Sequence, residues 1–246
     1  MATRVAAMGG DSNHFSTAEA ASALGWWLEA GVDAAVQEAP RDWLKPTPAP
    51  VAAVAEAIAP PVRDAEPLPD TLDLFRDWLT SSAALPLAGA GAKRILPHGA
   101  EGAPLMLIAE MPGPDDAAAG RPIGGEAWAL VTRMLAAIGI AADDAYCASL
   151  ACFHAPGAKL GASELAECAE IARRHIALAR PQRLLLLGDA PARALLGKPL
   201  PAARGHATKV EGVRTVVTFH PRFLMQQPSN KALAWRDLLL LMEDEA

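Results

Sequence analysis

Two polar residues follow apolar runs in this chain and could carry proton-transfer or electrostatic chemistry. Glu110 comes directly after the run at residues 105–109, and His220 comes directly after the run at residues 215–219. In a parallel α/β sheet the carboxyl ends of the strands meet at one edge, which is where ligands bind. A carboxylate and an imidazole at that edge are suited to general acid–base catalysis. The sequence therefore predicts that Glu110 and His220 face one crevice.

The segment after Glu110 is rich in proline and glycine. Pro112 stiffens the backbone, whereas Gly113 and the glycines that follow permit a close approach to a ligand. The spacing lacks the Lys and Ser or Thr of a phosphate-binding loop. The alternative interpretation is a structural turn with Glu110 solvated at its rim.

The segment after His220 combines basic and apolar residues. Pro221 favours an extended backbone at His220, which suits a position at the sheet edge. Arg222, Phe223 and Leu224 follow, and apolar side chains beside a cation suit a wedge that enters a base stack while the cation meets phosphate. The alternative is a structural histidine followed by a turn that packs in the core. Exposure of Leu224 would separate the wedge from the packed turn.

Alternating strands and helices must position these residues. We predict strands at residues 105–109, 146–150, 184–187 and 215–219, and helices at residues 70–80, 126–138, 163–179, 190–196 and 230–242. Right-handed crossovers place such helices on both faces of a sheet. The expected fold class is α/β, a three-layer α/β/α domain around a central, mainly parallel four-stranded sheet.

Three regions are expected along the chain. Residues 1–45 form an N-terminal helical segment, residues 46–69 an Ala/Pro-rich linker, and residues 70–246 the α/β domain. Trp26, Trp27 and Trp43 in the first region need a surface to pack on. The N-terminal segment is therefore the expected contact for a protein partner.

Composition limits the class of protein. Of the 246 residues 52% are hydrophobic, which is enough for one substantial core. No apolar run approaches the roughly 20 residues that span a bilayer, so we expect no membrane association and a cytoplasmic location. Three cysteines cannot form a disulfide framework.

Charge is distributed unevenly along the chain. Residues 1–66 hold nine acidic and four basic residues, a net charge of −5, although the whole chain carries −6. Residues 193–236 hold eight basic residues and one acidic residue, a net charge of +7. A positive field beside the predicted site suits a polyanion such as nucleic acid. The alternative is an ordinary set of solvated surface charges.

Six motifs then occur in a characteristic order. They are LIAEMPG at 107–113, GRPIGG at 120–125, LLLLGDAPARALLG at 184–197, RG at 204–205, TFHPRFL at 218–224 and WRDL at 235–238. From about Leu72 to its end the chain resembles the uracil-DNA glycosylase superfamily, in particular the bacterial family 4 and 5 type. The order and spacing of the motifs carry this resemblance.

The resemblance implies an enzyme of base excision repair. Its members flip uracil out of DNA and hydrolyse the bond between base and sugar. Glu110 would position water or stabilise the sugar cation, and His220 would bond a uracil carbonyl as negative charge accumulates there. The implied base pocket consists of Met111, Pro112, Gly113, Ile123 and Ser149. The implied contacts to single- or double-stranded DNA are Arg204, Arg222, Phe223, Leu224 and Lys231.

Some residues depart from the family pattern. Ile123 stands where family 4 has an aromatic residue that stacks on uracil, Ser149 aligns with an asparagine that reads its polar edge, and Trp128 replaces a small residue. These departures favour an alternative, a weak or inactive relative that binds DNA or a protein partner. A generic nucleotide or small-molecule enzyme is a third option, disfavoured because no dinucleotide fingerprint is present.

The resemblance to family 4 also implies an iron–sulfur cluster held by four cysteines. Cys152 and Cys168 match the second pair of these ligands, but residues 79–87, where the first pair is expected, contain no cysteine. Two thiolates are too few for such a cluster. We therefore predict that the protein holds no metal or other cofactor. We also expect a monomer.

Overall fold

The computed structural model describes residues 67–89 and 91–243, together with Ser22. Ser22 lies in a helix. Apart from Ser22 and residues 67–69, the predicted N-terminal segment and the linker lie outside the described residues. The domain boundary near residue 70 remains a prediction.

A five-stranded sheet forms the middle of the α/β domain. Its strands are β2 (Leu105–Ala109), β3 (Ala145–Ser149), β5 (Arg183–Leu187), β6 (Thr208–Val210) and β7 (Val213–Thr218), in the spatial order β3-β2-β5-β7-β6. All neighbouring pairs are parallel except β6 with β7. The strands β1 (Lys93–Arg94) and β4 (Phe153–His154) form a separate antiparallel pair.

Eight α-helices surround these strands within residues 67–243. They are α1 (Leu72–Ser81), α2 (Pro114–Ala119), α3 (Gly125–Ala137), α4 (Ala162–Ala179), α5 (Asp189–Leu196), α6 (Leu200–Ala203), α7 (Pro221–Gln226) and α8 (Lys231–Met242). Short 3-10 turns lie at Ala142–Asp144 and Pro228–Asn230.

Helix α1 illustrates how local sequence sets an element. The Thr71 hydroxyl accepts a hydrogen bond from the main-chain amide of Leu74 at 3.4 Å, which caps the first turn. The buried residues Leu72, Phe75 and Leu79 recur at intervals of three and four, so they share one face of the helix. That face covers part of the core.

The sheet is buried on both faces. In β2 all five residues are buried, and alternate side chains join two separate clusters. Leu105 and Leu107 pack in the cluster that includes α3 and α8, whereas Met106 and Ile108 pack in the cluster that includes α4 and α5. The predicted three-layer α/β/α arrangement is confirmed.

The sequence did not predict the shortest elements. Besides the four predicted parallel strands, the sheet has the antiparallel edge strand β6, and helices α2 and α7 occupy segments expected to be a loop and a wedge. Helix α2 begins at a proline, whose missing amide is no cost in a first turn. Elements of three to six residues have too few positions to display a hydrophobic period.

The strand order locates the expected ligand crevice. In chain order the four parallel strands are β2, β3, β5 and β7. After β2 the chain first adds β3 on one side of β2 and then adds β5 and β7 on the other side. The order therefore reverses between β2 and β5. In open α/β sheets, ligands bind outside the carboxyl ends of the strands at such a switch point.

No helix within the described residues combines the length and the apolar character that crossing a membrane requires.

Candidate active site

Glu110 lies at the switch point. It follows β2 and is exposed. Main-chain bonds hold this turn against the neighbouring strand, because the Leu150 amide donates to the Ala109 carbonyl at 2.8 Å and the Ala151 amide donates to the Glu110 carbonyl at 3.2 Å. The backbone is fixed while the carboxylate stays accessible to solvent.

His220 follows β7, on the other side of β5 from Glu110. Two strand spacings separate the ends of β2 and β7, which is about 10 Å. Between them lies Gly188, whose φ of 103° and lack of a side chain bring the backbone close to the imidazole; a Cβ there would lie 3.6 Å from the His220 Cβ. Glu110 and His220 thus follow strands on either side of β5, at the same edge of the sheet. That their side chains face one crevice remains a prediction.

The imidazole of His220 has a defined tautomer. Its Nδ1 accepts a hydrogen bond from the main-chain amide of Arg222 at 3.2 Å. Burial, followed by the Arg222 charge, lowers the pKa of His220 to about 3, so the ring is neutral at physiological pH. The ring proton therefore resides on Nε2, which is buried and has no hydrogen-bond partner. His220 offers one unused neutral donor.

Asp116 organises the loop after Glu110. Its carboxylate, on a side chain only 1% exposed, accepts hydrogen bonds from the main-chain amides of Gly113 at 2.7 Å and Gly124 at 2.6 Å. Two glycine-rich segments are therefore tied to one buried group. A side chain at Gly124 would also collide with the backbone, since a Cβ there would lie 2.7 Å from the Asp115 carbonyl oxygen.

Arg222 points toward this loop. Its Nη2 lies 3.3 Å from the Asp116 carboxylate and donates to the Met111 carbonyl at 3.3 Å. The side chain is 37% exposed, so its guanidinium is only partly available for a phosphate. A DNA contact by Arg222 remains a prediction.

Other residues of the implied base pocket differ in accessibility. Met111 is half-buried and Pro112 is buried, and the Pro112 carbonyl accepts a hydrogen bond from Nδ1 of His154 at 2.9 Å. Ser149 ends β3, and its hydroxyl oxygen is buried without a hydrogen-bond partner. Ile123 is fully buried in the core beside β2. It therefore exposes no surface to a base in this structure.

The two apolar residues of the predicted wedge, Phe223 and Leu224, differ in exposure. Leu224 is 1% exposed and packs with Leu130 and Ala234, so the alternative of core packing holds for this side chain. Phe223 is 39% exposed and stacks on Phe219, with ring centroids 5.1 Å apart. Leu224 is thus corrected to a core residue, and Phe223 is the exposed aromatic beside His220.

Arg204 is engaged inside the protein. Its Nε and Nη2 donate to one oxygen of the buried Asp237 at 2.9 and 2.7 Å, and the Thr218 hydroxyl donates to the same oxygen at 2.7 Å. The guanidinium also lies 4.2 Å from the centre of the Phe219 ring. Since the Arg204 side chain is 15% exposed, its predicted role as a DNA contact is corrected to support of the end of β7.

Lys231 is exposed at the start of α8. It lines an apolar groove of about 180 Å³ between α3, α7 and α8, together with Arg133 and Trp235. This surface adjoins α7, which begins directly after His220. A DNA contact by Lys231 remains a prediction.

Sequence reasoning missed Asp116 and His154. Asp116 stands three residues after Gly113, the spacing at which an acidic side chain returns to the start of a helix. That spacing was the signal that could have found it. His154 reaches the Pro112 carbonyl from β4, and no local pattern indicates a contact between segments 42 residues apart.

Trp128 contacts a basic side chain beside the loop. The Arg121 guanidinium lies 4.1 Å from the centre of the Trp128 ring and 2.9 Å from Nε2 of His98. Burial, followed by the Arg121 charge, lowers the pKa of His98, which favours a neutral ring that accepts from Arg121. The half-buried indole is thus held by neighbouring side chains.

The three cysteines are free thiols buried in the protein. Cys152 and Cys168 are buried beside one cavity of about 20 Å³, and burial raises their thiol pKa values to about 11 and about 12. Without a metal these thiols are protonated at neutral pH, so binding one would have to displace two protons. Within residues 67–89 and 91–243, no group of three or more His, Cys, Asp or Glu residues could hold a metal ion.

Arg94 takes up the space where the first cysteine pair is expected. Its guanidinium donates to the carbonyls of Leu79 and, at 2.8 Å, Ser82, and it lies 4.5 Å from the centre of the Phe153 ring. A half-buried guanidinium has no lone pair with which to ligate iron, so it cannot replace the missing thiolates. The residues present therefore do not fit the iron–sulfur group that the family 4 resemblance implies, although whether the protein holds a cofactor remains a prediction.

Known proteins share the region that carries these residues. A family model described as the Uracil DNA glycosylase superfamily matches residues 96–239. Type-4 uracil-DNA glycosylases of Pyrobaculum aerophilum, Archaeoglobus fulgidus and Thermotoga maritima are 24%, 26% and 25% identical to this chain. The matches cover 55%, 53% and 52% of this chain and 75%, 71% and 69% of those relatives.

Proposed function

Because this chain belongs to the uracil DNA glycosylase superfamily, we propose that it hydrolyses the N-glycosidic bond of uracil, or of another deaminated base, flipped out of DNA. The observation that carries the proposal is the unused Nε2–H of neutral His220 across the crevice from exposed Glu110. The expectation of a cytoplasmic monomer is kept as part of the proposal.

His220 would act on the departing base. As the bond to the sugar breaks, the electron pair leaves with the base and negative charge grows on its carbonyl oxygens. A donor that is already oriented stabilises this charge without reorganisation, an effect that usually supplies much of the rate. Since Nδ1 of His220 is occupied by the Arg222 amide, Nε2–H is the group that would donate to that oxygen. Because Nε2 is buried, the entering base must displace the atoms that cover it.

Glu110 would act on the sugar. Positive charge develops on the sugar ring as the base departs, as in glycoside cleavage. The exposed carboxylate can stabilise this charge or orient the water whose oxygen bonds to the anomeric carbon. The water releases one proton and the departing base takes one up, so the products are the free base and an abasic sugar.

Phe223 and Lys231 would hold the flanking DNA. An exposed aromatic ring provides a stacking surface for an unpaired base, and an exposed lysine provides a phosphate contact. The positive net charge of residues 193–236 favours association with the polyanion.

A second candidate is a relative that binds DNA without cleaving it. Ile123 exposes no surface, and neither of the two cavities described above is lined by Glu110 or His220. These observations favour a pocket with little room for a base in this conformation. The N-terminal segment, as a contact for a protein partner, belongs to the same candidate.

Base release separates the two candidates. Oligonucleotides carrying uracil, hypoxanthine or xanthine, single- and double-stranded, are incubated with excess wild type, Glu110→Gln, His220→Asn and the surface control Arg180→Met, which lies outside the basic stretch 193–236. We expect release by the wild type and the control. Loss of the acid or the donor should slow release by about 10²–10⁴-fold. No release by the wild type from any substrate would reject the glycosylase and leave the binding protein.

A further inference from the structure

We propose that Asp116 and Arg222 act as a pair of positioning residues that fix Glu110 and His220 relative to each other across the crevice. The proposal rests on the proposed function, because it assigns these two residues a part in the same reaction. Neither residue needs to touch the DNA for this role.

Arg222 contacts both sides of the crevice. Its guanidinium donates to the carbonyl of Met111, the residue after Glu110, at 3.3 Å. Its main-chain amide donates to the His220 ring at 3.2 Å. One residue therefore joins the turn after β2 to the residue that caps α7, although these segments are more than a hundred positions apart in the chain.

Asp116 holds the guanidinium in place. The carboxylate is nearly inaccessible to solvent and lies 3.3 Å from Nη2 of Arg222. Its two oxygens also accept from the amides of Gly113 and Gly124. A buried charge that is paired and fully hydrogen-bonded resists displacement, because removing one partner leaves the other uncompensated.

Gly113 provides the space for this pair. Its φ of −86° is open to any residue, so backbone conformation does not require glycine here. A Cβ at Gly113 would lie 1.9 Å from Nη1 of Arg222, which is far closer than atoms approach. A methyl group at Gly113 would therefore displace the guanidinium, which is the end of a flexible side chain.

Arg222 could instead serve mainly as a phosphate contact. That role requires a cation with free donors facing solvent. The observed guanidinium already shares its charge with Asp116 and one donor with Met111. The two roles differ in what they affect: a phosphate contact changes DNA affinity and its salt dependence, whereas a positioning contact changes the rate of the bound complex.

Three variants perturb the pair in different ways. Asp116→Asn removes the negative charge. It also turns a side-chain N–H₂ toward one of the two main-chain amides, those of Gly113 and Gly124, that donate to the carboxylate. Arg222→Met removes the guanidinium but keeps the main-chain bond to His220. Gly113→Ala deletes no interacting group and only displaces the guanidinium. Arg180→Met, which breaks an exposed pair with Glu101 at the end of α4, is the matched control.

The full-length protein is used for every measurement. Single-turnover base release at saturating protein gives the rate in the complex, and fluorescence anisotropy with the same uracil-containing single strand gives Kd at several salt concentrations. We expect each pair variant to slow release by about 10–100-fold, as small misplacement of reacting groups does. Kd should stay within about twofold. The Asp116→Asn/Arg222→Met double variant should be no slower than the slower single variant.

Two results would overturn the proposal. One is an unchanged single-turnover rate in variants whose thermal unfolding shows that they are folded. The other is a loss confined to Kd, with a salt slope reduced by about one in Arg222→Met, which is the behaviour of a phosphate contact. Gly113→Ala keeps both charges. If Asp116→Asn does not fold, the release rate and Kd of Gly113→Ala decide between the two roles.

A separate readout does not depend on activity. Hydrogen exchange of the Gly113 and Gly124 amides reports on the loop itself. We expect this exchange to accelerate at least tenfold in Arg222→Met but not in Arg180→Met, and one tenfold step is about 1.4 kcal/mol of lost protection. Unchanged exchange would overturn the positioning pair. Absence of base release by the wild type would instead overturn the proposed function, so the two failures are distinguishable.

Discussion

The main-chain amide of Arg222 donates to Nδ1 of His220 across 3.2 Å. This bond makes the imidazole the N-terminal cap of α7 and leaves its proton on Nε2. Protonation at Nδ1 would break the cap and bring a second cation beside the Arg222 guanidinium. The geometry therefore agrees with a ring that stays neutral.

The first prediction concerns the pH dependence of base release. The pKa of His220 is lowered to about 3, so its protonation state does not change between pH 5 and 8. We expect single-turnover rates that show no inflection near 6.5, the ordinary histidine pKa. Rates are measured from pH 5 to 8 in buffers of constant ionic strength. An inflection near 6.5 in the wild type that disappears in His220→Asn would contradict this assignment.

The second prediction concerns stability in acid. A histidine whose pKa is lowered by folding binds its proton more readily in the unfolded chain, so stability decreases as the pH falls below 6.5. His220 then costs up to about 2 kcal/mol between pH 7 and pH 5. We expect His220→Asn to lose less unfolding free energy than the wild type over this interval, measured by urea denaturation at both pH values. Equal losses would show that the folded-state pKa is ordinary.

The third prediction separates the two residues of the expected wedge. Leu224 is enclosed by Leu130 and Ala234, so Leu224→Ala should lower the unfolding free energy by about 2–5 kcal/mol. Phe223 is exposed, so Phe223→Ala should change it by less than about 1 kcal/mol and weaken binding of a single strand by about 1–3 kcal/mol. Urea denaturation and anisotropy measure the two quantities. The reverse pattern would identify Leu224 as the wedge.

The fourth prediction concerns Arg94. Arg94→Met removes the donors to the carbonyls of Leu79 and Ser82, and charged hydrogen bonds of this kind contribute about 1.5–3 kcal/mol each. We expect a clear decrease in the unfolding free energy. The control is the exposed arginine variant Arg193→Met.

Iron analysis completes this test. The protein is purified without oxygen and assayed for iron and sulfide before and after treatment with a chelator. We expect no stoichiometric iron and an unfolding midpoint that the chelator does not shift. Four irons per chain would show that the protein holds a cluster by some other set of ligands.

The sequence predicted the four parallel strands and the long helices to within about two residues. Continuous apolar runs such as residues 105–109 belong to strands covered on both faces, and this signal does not depend on distant residues. The edge strand β6, with three residues, has no comparable pattern. Its antiparallel pairing follows from the turn that leads into β7.

The placement of the candidate site residues could be predicted in part. The positions of Glu110 and His220 at strand ends could be predicted because each follows a recognisable apolar run. The burial of Ile123 and Leu224 could not, since an apolar side chain at a loop suits both a pocket wall and a core. The engagement of Arg204 inside the protein has no signal in the sequence, because its partner Asp237 is 33 residues away and becomes a neighbour only through the packing of α8 on β7.

Asp237 is synthesised after the residues that it holds in place. It lies in α8 and accepts from Thr218 at the end of β7 and from Arg204 beneath Phe219. The ribosome therefore adds Glu110 and His220 before it adds the carboxylate that secures the strand end leading to His220. A nascent chain that stops before residue 237 contains both Glu110 and His220 but leaves Arg204 and Thr218 without their partner. If such a chain were released, it would contain Glu110 and His220, but the end of β7 that leads to His220 would lack the hydrogen bonds of Asp237.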